Sequence, residues 1–242
     1  MPGLLYFALT AGELAAWEGE NVAWMACRFA SGSDGLSNLP DKLPPNSLLI
    51  LNDQTPAQQH DPARIKKELR ETLEKFGCSG LLLDFERKPT ESSAAIAKAA
   101  AKAAAELGLF CALPESYLDC AKDAALFVPM PALLSLPELP QGRLLFLELA
   151  PRALQLFVTE KGAEEKIVPY WELAQEGKSH TLFRDKTVKC DYFCEVQPEL
   201  AAYSILETAE SLQAFWEKVR KLPGVLGGVG LYQELAPFFK TP

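Results

Sequence analysis

The chain has 242 residues, 48% of them apolar and 23% charged, which supplies enough apolar side chains for a sizeable core and excludes a disordered composition. Its formal net charge of -8 sets it against phosphate backbones and anionic membrane surfaces, so neither nucleic acid nor a membrane is an expected partner. No apolar run approaches the roughly 20 residues that span a bilayer.

The first ten residues, Met1 to Thr10, lack the positive flank and apolar length of a secretory signal and read as a first strand, so a cytoplasmic protein is expected. Six cysteines (Cys27, Cys78, Cys111, Cys120, Cys190 and Cys194) contain no Cys-x-x-Cys pair, and the only histidines are His60 and His180. That pattern argues against a zinc site and leaves the thiols as small buried apolar groups, so neither metal nor cofactor is expected. A Cys190–Cys194 bridge stays open, subject to disulfide geometry.

Residues 4 to 10 and 21 to 30 read as strands, joined by a segment with one helical turn near Glu13 to Trp17; residues 31 to 46, rich in Gly, Ser and Pro, read as loop. Ser47 to Leu51 is a continuous apolar run, the pattern of a strand buried on both faces, and it ends at the polar tip Asn52-Asp53-Gln54-Thr55. A helix is predicted over residues 62 to 76. Asp61 caps it, Pro62 occupies the first position where no N–H is needed, and Gly77 stops it. Ile65, Leu69, Leu73 and Phe76 form its buried stripe.

A strand follows at once, Gly80-Leu81-Leu82-Leu83-Asp84-Phe85-Glu86, broken at Lys88-Pro89. Alternate side chains on a strand share a face, so Asp84 and Glu86 point one way and Leu81, Leu83 and Phe85 the other. Two carboxylates at the end of an apolar strand either mark its arrival at the surface or face an interior, where burial and mutual repulsion turn a carboxyl into a proton donor near neutral pH.

An alanine-rich helix spans residues 91 to 107 and ends at Gly108. Strands are predicted over residues 109 to 113, with polar tips Glu115 and Tyr117, then 124 to 130 and 143 to 149. The pattern changes over approximately 153 to 196, where a hairpin around Glu160-Lys161-Gly162 and a further strand over residues 187 to 194 indicate an antiparallel insertion. A helix over residues 209 to 221, capped by Thr208, precedes a glycine-rich last strand over residues 227 to 232. Eight strands with crossovers predict a single α/β domain over 1–242, a (β/α)8 TIM barrel with a small antiparallel β insertion late in the chain. In such barrels the site sits at the C-terminal ends of the strands, which selects Asn52, Asp53, Asp84, Glu86, Glu115, Tyr117, Met130, Glu148, Tyr232 and Gln233.

The run Ser79 to Glu86 resembles the fourth-strand signature of family 18 glycoside hydrolases, Asp-Gly-x-Asp-x-Asp-x-Glu, especially in the spore-cortex and chitinase-like branch. Residues 207 to 212 and 227 to 235 are similar to that family's final helix and eighth strand, where an aromatic residue floors the sugar site, and the insertion matches its layout. The resemblance implies a retaining, substrate-assisted glycosidase acting on β-linked N-acetylglucosamine glycans, one of the exceptions to the two-carboxylate scheme. Glu86 would then be the general acid, Asp84 the group that orients the substrate's acetamido group, and Tyr232 the stacking platform. Gln233, Glu115, Tyr117, Met130 and Asn52 would be further substrate contacts, and the partner an oligosaccharide or polysaccharide. Two positions depart from the signature, Ser79 and Leu82 standing where the family has aspartates. The sixth strand ends Val128-Pro129-Met130-Pro131, where the family has Met-x-Tyr-Asp. A carbohydrate-binding or scaffold protein that keeps the barrel without catalysis is therefore the alternative.

Overall fold

The computed structural model describes residues 3–31, 35–57, 60–129, 140 and 142–239. Eight parallel strands close into a barrel: β1 (Leu4–Leu9), β2 (Val22–Phe29), β4 (Leu48–Asn52), β5 (Gly80–Asp84), β6 (Phe110–Pro114), β7 (Ala125–Pro129), β8 (Leu145–Glu148) and β14 (Val225–Leu231). Closure is made by β1, which pairs in parallel with β2 on one side and with β14 on the other. A two-residue strand, β3 (Leu36–Ser37), adds an antiparallel edge to β2.

Alternation along the strands divides the apolar residues into two layers. Tyr6, Leu48, Ile50, Leu82, Phe146 and Val229 point into the barrel, where Phe110 stacks on Phe146 with ring centroids 5.2 Å apart. Their sequence neighbours Phe7, Leu49, Leu51, Leu81, Leu83 and Leu147 point outward into a larger core. A barrel strand buried on both faces reads as an unbroken apolar run, which is why Ser47 to Leu51 and Gly80 to Leu83 look as they do. Glycine in β14 has a steric cause: a Cβ on Gly230 would lie 2.1 Å from the backbone oxygen of Leu149, and one on Gly227 would lie 2.7 Å from that of Leu4.

The outer layer is uneven. Helix α1 (Ala11–Ala15) follows β1, α2 (Pro62–Phe76) follows β4, α3 (Glu91–Glu106) follows β5, and α5 (Ala209–Val219) precedes β14. Helix α2 has the predicted ends: Asp61 accepts a hydrogen bond from the Ala63 N–H at 3.0 Å, and Gly77 adopts φ 58°, the left-handed conformation. Between β6 and β7 the chain makes only a 3-10 turn, Glu115–Cys120. All six cysteines are free, and the Cys190 thiol donates to the Val188 carbonyl.

After β8 comes the antiparallel insertion, a five-stranded sheet in the order β10-β9-β13-β12-β11. Its strands are β9 (Ala153–Thr159), β10 (Gly162–Val168), β11 (Phe183–Arg184), β12 (Asp191–Gln197) and β13 (Leu200–Leu206), with helix α4 (Tyr170–Gly177) between β10 and β11. The sheet thus extends past residue 196 to Leu206, because β13 pairs along its length with both β12 and β9.

Where this sheet joins the barrel, Arg152 and Glu207 form a buried clasp. The Arg152 N–H donates to Glu207 Oε2 at 2.9 Å, the Glu207 N–H donates to the Arg152 carbonyl at 3.1 Å, and the Tyr170 hydroxyl donates to the Glu207 carbonyl at 3.2 Å. Burial pushes the Glu207 carboxyl up to about 7, against the lowering effects of the Arg152 N–H and guanidinium. A carboxyl raised in the folded state contributes stability below its ordinary value of 4.5 and loses it as pH rises through about 7. Urea unfolding between pH 4.5 and 8 should therefore show the parent chain losing roughly 3 kcal/mol more than Glu207→Gln. Parallel pH profiles for the two proteins would contradict this assignment.

Candidate active site

The C-terminal mouth of the barrel is built on β5. Leu82, 1% exposed, fills the inner core, and two residues on, Asp84 emerges on the same inner face as the last residue of the strand. The neighbouring Phe85 turns outward and packs against Phe29 and Tyr117. Asp84 therefore stands on an apolar floor. Its carboxyl is held above the usual aspartate range, first by burial, then by the charges of Glu86 and Asp53.

Glu86 lies beyond the strand, in a turn fixed by Asp53. The backbone N–H groups of Glu86 and Arg87 donate to the two carboxylate oxygens of Asp53 at 3.1 and 3.0 Å. The Arg87 guanidinium donates from Nε to the Asp53 carbonyl at 3.0 Å and from Nη2 to the Gln54 carbonyl at 3.1 Å. This network leaves the Glu86 side chain exposed at the rim, close enough to raise both Asp84 and Glu148 electrostatically.

Glu148 ends β8, three barrel strands away from Asp84. It is open to water yet set among the loops of the mouth. Burial raises its carboxyl first, the Asp84 charge second; Arg152 opposes the shift, and Glu234 and Glu86 add to it. Glu234, on the short helix α6 (Tyr232–Leu235), is itself raised by burial. Between Asp84 and Glu148 lies a cavity of about 290 Å³, lined also by Pro114, Glu115, Phe127 and Pro129. Phe127 shares the inner face of β7 with Ala125 and offers this cavity an aromatic ring.

The structure brings Asp84, Glu86, Glu115 and Glu148 to one mouth and distributes the other predicted contacts differently. Asn52, the register partner of Asp84, is 6% exposed; its amide donates to the Met25 carbonyl at 3.1 Å and accepts from the Gln54 N–H at 3.3 Å, so it braces the rim. Tyr117 is 0% exposed in the outer core, and its hydroxyl donates to the Arg87 carbonyl and shares a hydrogen bond with Ser93, both at 3.1 Å. It therefore has no access to the mouth. Tyr232 also lies outside the barrel: Val229 faces inward, so Leu231 points into the mouth and Tyr232 packs edge-on against Trp17 at 5.2 Å and Phe7 at 6.4 Å. Gln233 lies beside Glu13 at the start of α1 and, after Thr10, helps hold its carboxyl below the usual range. Met130 falls outside the described residues.

The strand-end rule selects Glu148 from the sequence but not Phe127. Both share a detectable signal, an inward parity at the last positions of an apolar strand. The signal is usable only once the strand ends are known.

No protein-family model matches the sequence, and no curated protein matches it. The fold is similar to solved structures. A chitinase from Chromobacterium violaceum superposes with a TM-score of 0.54 at 12% identity, over 98% of this chain and 96% of that one. A class V chitinase from Pseudomonas fluorescens gives 0.52 at 14% identity, over 98% and 97%. The spore cortex-lytic enzyme SleL of Bacillus cereus gives 0.51 at 12% identity, over 99% of this chain and 74% of that one. These enzymes are of the kinds that the β5 motif resembles, and the likeness establishes a common barrel architecture.

If Asp84 and Glu148 share one field, removing the Asp84 charge lowers the Glu148 carboxyl. A carbon-detected NMR titration of the glutamates in Asp84→Asn should show that downward movement relative to the parent chain. An unmoved Glu148 would separate the two groups.

Proposed function

We propose that the chain is a glycoside hydrolase that cleaves β-linked N-acetylglucosamine-containing glycans at the barrel mouth. The observation that carries this reading is the inward Asp84 on its Leu82 floor, lining a cavity with Glu148 while Glu86 is held at the rim by Asp53. The barrel shared with chitinases and a cortex-lytic enzyme supports it.

In this reading a sugar ring lies over Phe127 with its acetamido group toward Asp84. Glu86 protonates the glycosidic oxygen, and the acetamido oxygen attacks the anomeric carbon from the opposite face. Water then opens the cyclic intermediate, with Glu86 as base, and configuration is retained. Charge at the anomeric carbon becomes positive in the transition state, and a mouth lined by carboxylates stabilises it. Asp84, its carboxyl raised by burial and by the charges of Glu86 and Asp53, keeps a proton to higher pH than an ordinary aspartate and can hydrogen-bond the acetamido group in either protonation state.

A second reading rests on the same lining. Among the described residues around the cavity, Pro114, Leu126, Phe127, Val128, Pro129 and Pro140 supply no hydroxyl donor for the acetamido oxygen. Losing one such donor costs about 3 kcal/mol in comparable sites, and a binding protein without turnover would need none. The two readings separate in one experiment with chitooligosaccharides and an aryl N-acetylglucosaminide. The hydrolase reading predicts turnover that falls at least about 100-fold in Glu86→Gln. Absence of turnover in the parent chain, together with oligosaccharide affinity that Glu86→Gln leaves unchanged and Phe127→Ala weakens, would overturn it in favour of binding alone.

A further inference from the structure

Within the insertion, α4 lies against the sheet and contributes Leu173 to a small core with Ala153, Phe193 and Leu206. Glu176, in the last turn of this helix, and His180, just beyond it, are four residues apart. On β12, Phe193 and Glu195 are two apart and share one face of the strand. The His180 ring stacks on Phe193 with centroids 4.4 Å apart and an interplanar angle of 14°, which fixes the imidazole where the apolar core gives way to Glu195. One donor atom from each of Glu176, His180 and Glu195 lies within 4.8 Å of the others.

These donors converge without satisfying one another. His180 Nε2 is 3.7 Å from Glu195 Oε1, too long for a hydrogen bond. Among the described residues, neither glutamate has a lysine or arginine in ion-pair reach, and the nearby Lys178 ammonium is engaged by Gln175 at 2.7 Å. Two carboxylates and an imidazole held together in this way turn three metal-ligating atoms toward one point.

We propose that Glu176, His180 and Glu195 form a binding site for a divalent transition-metal ion, with Zn²⁺ the best match. One imidazole nitrogen and two carboxylate oxygens, with water in the fourth position, suit zinc, whereas magnesium and calcium favour all-oxygen shells. Ligand atoms around tetrahedral zinc are roughly 3.4 Å apart, so the His180–Glu195 separation needs only a small closure. Bound there, the ion clamps the end of α4 to β12. The site escapes spacing rules because its ligands come from two elements, and two of the three are glutamates.

Isothermal titration of the full chain with Zn²⁺ tests this, with Co²⁺ absorption identifying the donors because six thiols are also present. The expected result is one ion per chain, cobalt bands without sulfur charge transfer, and affinity reduced at least about tenfold in both His180→Ala and Glu195→Gln. Glu195→Gln preserves shape at an exposed position, so it reads ligation if His180→Ala loses its fold. No binding, thiolate-type cobalt bands, or Zn²⁺ affinity unchanged in Glu195→Gln would overturn the proposal.

Discussion

Closure of the parallel barrel is the constraint on which the rest of the structure depends. Because β1 pairs with both β2 and β14, the eight strands have no free register, and each residue is assigned to the inside or the outside by parity. That assignment places Asp84 directly above Leu82 and sends Phe85 outward. It also separates Leu231, which reaches the mouth, from Tyr232, which joins Trp17 and Phe7 outside. One residue of parity thus decides which aromatic ring a ligand in the barrel can meet.

The mouth depends next on electrostatics in a partly desolvated space. Asp84, Glu148 and Glu234 are all raised, in each case by burial first, so the inner apolar layer matters to their chemistry as much as their mutual repulsion does. Asp53 has a different task. Its carboxylate is consumed by the N–H groups of Glu86 and Arg87, so it positions the turn that carries Glu86. Arg152 links this region to the insertion through Glu207, so the second sheet is fastened beside the acidic rim.

Much of the architecture was legible in the sequence because local signals agreed with the global fold. Asp61, Pro62 and Gly77 mark both ends of α2, and the unbroken apolar runs of β4 and β5 reveal strands covered on both faces. The failures have identifiable physical causes. Strand β13 is disguised by Ala201, Ala202 and Ser204, which carry little strand preference until pairing on both sides holds them. Tyr232 misled because it is out of step with the inward Val229, and the chain turns into α6 immediately after Leu231. Tyr117 looked like a polar tip, but the 3-10 turn that replaces a full crossover helix rolls its ring under Phe85. Asp84 and Glu148 share a place at strand ends that the sequence shows, but that one cavity joins them is visible only once the barrel is closed.

The central claim is that the cavity between Asp84 and Glu148 receives the sugar. A crystal structure of Glu86→Gln soaked with an N-acetylglucosamine tetramer tests it most directly. The account predicts a pyranose ring over Phe127, its acetamido group at Asp84, and a glycosidic oxygen within about 3.2 Å of the residue-86 side chain. An oligomer seated instead against Tyr232 and Trp17 outside the barrel, with the mouth carboxylates untouched, would contradict it.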